Sequence, residues 1–252
     1  MEWNLYECVF RLKSPLHIGF HKILIFSKTR YYVPGKLIWA ALTARITPLL
    51  GINNYETVGQ VFKTSMRYGY FYLFDENELY LPKYTEEGLK FRTLLQNEFE
   101  KKFINSTVST AIQPESLTAE EGMLHEIEII NPYTIDDSKP VYLKGLVWAK
   151  NNSQNGLNIT AKDNEINFSY NDNQINFNKG FQIQIGGERR SGFGLIELVE
   201  LKKNGIDDLS QIGFSGTWRE DKGEVVISIE GTIWAHAKVT PNLKIKGDIE
   251  LI

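Results

Sequence analysis

The sequence predicts an α+β fold with a ferredoxin-like βαββαβ core, β-rich insertions and a short β C-terminal extension. Two observations predict it: the apolar patterns of the first 103 residues run strand, helix, strand, strand, helix, and the second half alternates almost throughout like strands.

Asn4 to Leu12 places Tyr6, Cys8, Phe10 and Leu12 on one side and Glu7 and Arg11 on the other, the period of a half-buried strand. Ser14-Pro15 ends it. A basic loop runs to Pro34-Gly35. Ile38, Leu42 and Ile46, with Ala41 and Leu49 beside them, then predict a helix from Lys36 to about Thr47, stopped by Pro48 and Gly51. The runs around Tyr68 to Phe74 and Leu79 to Pro82 flank the polar turn Asp75-Glu76-Asn77-Glu78 and predict a hairpin. Phe91, Leu95, Phe99 and Phe103 recur every fourth residue, predicting a second helix from about Glu87 to Phe103. A further strand completes the βαββαβ order, which is also the layout of the RNA-recognition fold. Strands are expected near residues 124–130, 141–149, 181–185 and 194–202. The Asn-rich stretch 151–178 predicts irregular, exposed hairpins. Residues 1–203 are therefore expected to form one domain, with a protruding segment at about 105–123, and residues 204–252 a β-rich extension.

Hydrophobic residues make up 42% and charged residues 23%, the composition of a folded chain rather than a disordered one. Cys8, the single cysteine, has no partner for an internal disulfide and reads as a small buried hydrophobe. The start MEWNLYECVF lacks a basic segment followed by an apolar run, and no window approaches the ~18 apolar residues of a membrane span. A cytoplasmic protein is expected.

Net charge is −3, which argues against indiscriminate nucleic-acid binding, but its distribution is uneven. Between Glu7 and Glu56 there is no acidic residue, while Arg11, Lys13, Lys22, Lys28, Arg30, Lys36 and Arg45 all lie there, with His17 and His21. Such a stretch on a mildly acidic chain is the footprint of a groove for an anion.

Three segments carry chemistry. Gly186-Gly187-Glu188-Arg189-Arg190-Ser191-Gly192-Phe193-Gly194 holds four glycines in nine residues, so backbone N–H groups can converge on an anion. Arg189 and Arg190 add forked phosphate donors, and Phe193 an aromatic face for a base. The bland alternative is a tight β-turn with solvated arginines. No GxxxxGK[ST] is present, so this is not a P-loop. Tyr31 to Lys36 opens the first helix, where orphan N–H groups and the dipole suit phosphate, and Lys36 opposes that dipole unless an anion sits there. The third segment, Ser109 to Gly122, is a polar excursion leading into Met123-Leu124-His125-Glu126-Ile127-Glu128, and reads as a surface loop by composition.

Taken in order, four phrases resemble the RAMP superfamily of CRISPR–Cas proteins, above all subunits of type III effector complexes. They are Ser14-Pro15-Leu16-His17-Ile18-Gly19, Tyr32 through Leu42 with its Pro34-Gly35 helix entry, Ala111 through Glu128, and Gly186 through Gly194. The resemblance implies a ferredoxin-like architecture, guide-RNA (crRNA) binding, contact with other effector subunits, and target RNA as a further partner. It implies that the Gly-rich loop and the Pro-Gly helix start lie on the RNA backbone, and that the third segment is a thumb disturbing the guide–target duplex. The expected RNA-binding residues are Lys22, Lys28, Arg30, Gly35, Lys36, Arg45, Gly186, Gly187, Arg189, Arg190, Ser191, Gly192, Phe193 and Gly194. No cofactor and no metal is expected.

The sequence departs from the family pattern at Trp39, where arginine is frequent, at Ala40, where glycine is frequent, and at Gln113, where aspartate is frequent. The loop from Gly19 to Gly35 contains no acid, whereas RNA-slicing backbone subunits carry an aspartate there to hold a metal ion. A non-catalytic subunit is therefore the leading expectation. The rivals are a metal-independent ribonuclease that processes precursor crRNA, with His17 or His21 moving the proton, and a scaffold subunit contacting mainly other subunits.

Overall fold

Asn4–Leu12 forms the strand its alternation predicts, and it lies at the centre of a curled seven-stranded sheet. The computed structural model describes residues 2–110, 124–229 and 233–234. Four strands form the body of the sheet in the spatial order Leu195–Asn204, Asn4–Leu12, Tyr142–Ala149, Phe71–Phe74, every neighbouring pair antiparallel. In chain order that is fourth, first, third, second. Gln182–Gln184 and Tyr32–Val33 add short edges, and Met66–Tyr68 pairs with the end of Tyr142–Ala149. The molecule is a mixed α+β fold, mostly strands, with three α-helices among the described residues.

Helix α1 (Gly35–Leu49) buries Ile38, Ala41, Leu42 and Ile46, the stripe its spacing predicts. Helix α2 (Tyr55–Ser65) follows and was not expected. Its signal was nonetheless present: Val58, Val61, Phe62 and Ser65 share one buried face, and the Asn54 side chain accepts from the Thr57 N–H as an N-cap. Trp39 ties the two helices together by donating Nε1–H to the Gly59 carbonyl at 3.1 Å.

Two expectations are corrected. The helix from Glu87 to Phe103 is only its second half, α3 (Gln96–Phe103). The first half is a small sheet of Pro82–Thr85, Gly88–Phe91 and Leu94–Leu95, because Gly88 and Arg92 take positive φ at its turns. The fourfold aromatic spacing is satisfied all the same. Phe91 stacks on Phe99 at 4.0 Å, and Phe99 packs on Phe103 at 5.0 Å. The Asn-rich stretch is not irregular but a regular antiparallel meander of Asn152–Gln154, Leu157–Ala161, Ile166–Tyr170 and Asn173–Phe177. Its asparagines serve the turns, Asn155-Gly156 with both φ positive and Asn171 likewise. Leu157, Ile159, Ile166, Phe168 and Phe177 are buried beside α1 and α2. Each such side chain stabilises the fold by about 1.5–3 kcal/mol.

The sheet thus has a core on each face. Tyr6, Cys8, Phe10 and Leu12 face the helices and the meander. Trp3, Leu5, Leu146 and Trp148 face Leu209, Phe214 and Trp234 of the segment after Asn204. A second, four-stranded sheet stands beside the first, in the order Ile104–Ser109, His125–Ile130, Phe26–Thr29, Gly19–Ile23. The expected thumb begins on its first strand; residues 111–123 lie outside the described residues, as do 235–252 of the C-terminal extension and His236. No helix among the described residues is long and apolar enough to cross a membrane.

Candidate nucleic-acid interface

The Gly-rich loop is a turn between Gln182–Gln184 and Leu195–Asn204, closed by the Ile185 N–H to the Gly194 carbonyl at 2.9 Å. At its tip Arg189–Ser191 forms one 3-10 turn, entered by Glu188 at φ 52° and left by Gly192 at φ 87°. Gln184 braces it from below, donating Nε2–H to the Arg189 and Phe193 carbonyls at 2.9 Å each. Arg189, Arg190, Ser191 and Gly192 are exposed, Gly186, Gly187 and Phe193 half-buried, and Gly194 buried.

This turn is seated on the first of the family-like phrases. Gly187 donates its N–H to the His17 carbonyl at 2.9 Å, Gly194 to the Pro15 carbonyl at 2.8 Å, and Leu195 to Ser14 Oγ at 2.9 Å. Side chains are excluded at two glycines by this closeness: a Cβ on Gly186 would overlap the His17 carbonyl, and one on Gly194 the Ile185 carbonyl. Both glycines are thus required by the packing of the turn itself.

The basic loop is not a loop. Gly19–Ile23 and Phe26–Thr29 form a hairpin whose second strand runs parallel to His125–Ile130, with Phe26 opposite Glu126. Its base is pinned by a buried network. Ile18 donates its N–H to Thr29 Oγ1 at 2.8 Å, Thr29 donates its N–H to Glu128 Oε2 at 2.9 Å, and Arg30 its N–H to the Ile18 carbonyl at 2.7 Å. His17 is buried and lies 2.8 Å from the Glu128 carbonyl through Nδ1, which therefore carries the proton. His21, by contrast, is exposed.

The electrostatics differ from the sequence pattern. Burial raises the Glu128 carboxyl above the usual carboxylate range, while the Thr29 N–H and the Lys28 ammonium oppose that rise. Lys28 is therefore spent partly on Glu128. A cleft of about 270 Å³ beside the hairpin is lined by Phe26, Asn105, Ser106 and three carboxylates, Glu100, Glu126 and Glu128. An acid-free stretch of sequence has become the neighbour of an acidic wall.

Lys22 is exposed on the hairpin, Arg30 is half-buried at its base, and the Gly-rich turn stands against that same base. Gly35 is buried, with the Tyr68 carbonyl where a side chain would stand, so it shapes the helix entry from inside. Lys36 and Arg45 are both exposed on α1. Their nine-residue separation is about two and a half turns and about 14 Å of rise, which points them to opposite sides of the helix. One strand of polynucleotide running along α1 does not meet both. Sequence reasoning missed the residues that hold the site together: Ser14, Thr29, Glu128 and Gln184. Ser14 and Glu128 had a signal, their places in the Ser-Pro phrase and at the end of the third phrase; Thr29 and Gln184 had none.

No family model and no curated protein matches this sequence. Among solved structures, a chain of the type III-B Cmr-beta complex bound to cognate target RNA superposes at TM-score 0.44 with 7% identity, covering 78% of this chain and 96% of its own. A chain of type III-B Cmr-beta in the apo state does so at TM-score 0.45 and 8% identity, covering 80% and 97%. Oligomeric Cmr4 from Pyrococcus furiosus gives TM-score 0.36 and 12% identity over 81% and 100%. These are distant likenesses.

Proposed function

We propose that this protein is a non-catalytic guide-RNA-binding subunit of a type III-like CRISPR effector complex. One observation carries the reading. The turn bearing Arg189 and Arg190 is hydrogen-bonded to residues 14–17, so it stands beside the base of the hairpin that carries Lys22 and Arg30. Two cationic elements some 160 residues apart in sequence thereby adjoin, as one bound polyanion requires.

The sheet order fourth, first, third, second, with α1 and α2 on the first crossover, supports a ferredoxin-like core. In this reading the four-stranded meander takes the place of the second crossover helix. Residues 1–203 form the RNA-binding body, and the described residues after Asn204 cover the back of the sheet. The proposed mechanism is placement rather than chemistry: phosphates are neutralised by Arg189, Arg190 and Lys22, and the adjoining subunits and target strand are recruited by the assembled complex.

The test is an anisotropy titration of the purified protein against labelled crRNA. Saturable binding that weakens as salt rises is expected. Absence of binding at low salt refutes the proposal.

A further inference from the structure

We infer that Phe20, His21 and Arg30 form a stacking platform that takes an unpaired nucleobase of single-stranded RNA. The inference rests on the RNA-binding reading above and adds a contact that neither charge nor the glycine turn provides.

The hairpin pairs in regular register except between Gly19 and Lys22, where the ladder shifts. Phe20 and His21 occupy that irregularity, on a strand whose five residues are all exposed. It is the edge strand of its sheet. Phe20 remains 43% exposed, yet its ring is not loose. The His21 ring lies 3.9 Å from it, centroid to centroid, at 37°, and the Arg30 guanidinium carbon lies 5.3 Å from its centre. Arg30 is itself fixed by donating to the Gly19 carbonyl. Three planar groups thus form one contiguous cluster, tilted at the ring pair and cationic at the guanidinium.

An aromatic ring left in water forgoes the stabilisation of burial, and the core has ample apolar side chains without it. A nucleobase recovers that loss by adding its π-face to the stack, and a guanidinium beside the ring strengthens such contacts. The residues flanking the platform suit a polyanion, while the tip of the hairpin beyond them, Ile23, Leu24 and Ile25, is exposed and apolar and the cleft beside Phe26 is acidic. The next residue on the edge is exposed Lys22, and no residue of the hairpin is acidic. Stacking of this kind is tolerant of base identity, as a subunit that must accept any guide requires.

The experiment uses the full chain with two labelled probes, single-stranded oligoadenylate and the same strand made abasic. On oligoadenylate, Phe20→Ala and Phe20→Leu should each weaken binding about 5- to 160-fold, the range of one base–aromatic stack. Phe20→Trp should bind like the unmodified protein. On the abasic strand all of these should bind alike, which also shows that the variants are folded. Wild-type affinity in Phe20→Leu on oligoadenylate overturns the stacking inference. If Arg189→Ala with Arg190→Ala still weakens binding in that case, the RNA-binding reading stands without it. Failure of the unmodified protein to bind either probe overturns both.

Discussion

Replacing Arg189 and Arg190 by alanine removes two exposed guanidinium groups from a turn whose shape does not depend on them. The turn is held by main-chain bonds, from Ser191 N–H to the Glu188 carbonyl and Gly192 N–H to the Arg189 carbonyl, and by the Gln184 side chain on two carbonyls. The double variant should therefore melt like the unmodified protein. Each arginine that neutralises one phosphate of a single strand contributes about 0.7 to the slope of log affinity against log salt. Two contribute about 1.4. Over a rise from about 50 to about 200 mM salt, that slope amounts to about a sevenfold loss of affinity that the variant no longer suffers. The assay is anisotropy with labelled single-stranded RNA at four or more salt concentrations. The expected result is weaker binding at low salt with a slope shallower by about 1.4. Parallel lines for the two proteins, whatever their offset, refute the assignment of these arginines to phosphates.

Three further outcomes follow from the geometry. Gly194→Ala forces a Cβ onto the Ile185 carbonyl at φ 78° and should lower stability by at least about 3 kcal/mol, a Tm fall of roughly 6–12 °C, whereas Gly192→Ala, with open space around it, should cost only the about 1–2 kcal/mol of its positive φ; equal melting temperatures would show that the turn is not packed as described. Burial raises the Asp75 carboxyl, but hydrogen bonds from Lys102 Nζ at 2.7 Å, Tyr80 OH at 2.7 Å and the Glu78 N–H outweigh it and leave it below the usual range. Its folded value is depressed, so its stabilisation is complete above the unfolded carboxylate value of about 4 and is lost as pH falls through the folded one. Asp75→Asn should accordingly be about 1–2 kcal/mol less stable at neutral pH, with the gap closing below about pH 4 in melts across pH. Finally, labelled CRISPR-repeat RNA incubated with the protein in EDTA should stay intact, since His17 is buried with Nδ1 committed to the Glu128 carbonyl; cleavage that disappears in His21→Ala would make the processing-nuclease reading correct.

Local patterns were legible wherever one short segment contains its own reason. The first strand was readable because its alternation needs only nine residues, and α1 because its stripe sits on consecutive turns. The Gly-rich segment was readable as a turn because positive φ demands glycine at Gly186, Gly192 and Gly194. Errors arose where one pattern served two structures. Aromatic residues every fourth position mark a helix face, but Phe91 and Phe99 reach the same cluster from a strand and a helix. Asparagine-rich sequence reads as irregular, yet here Asn155 and Asn171 take the left-handed turns that a regular meander requires.

By itself, then, the chain's sequence determined which segments alternate, which coil and where the backbone must reverse, because those preferences act between neighbours. Which charges face one another was decided only by tertiary pairing. Glu128 reaches Thr29 and Lys28 because the strand His125–Ile130 runs parallel to Phe26–Thr29, across 99 residues of chain. The same folding sets the Arg189 turn against Pro15 and His17. Coulomb energy depends on separation in space and on the local dielectric, neither of which is written in the spacing of letters.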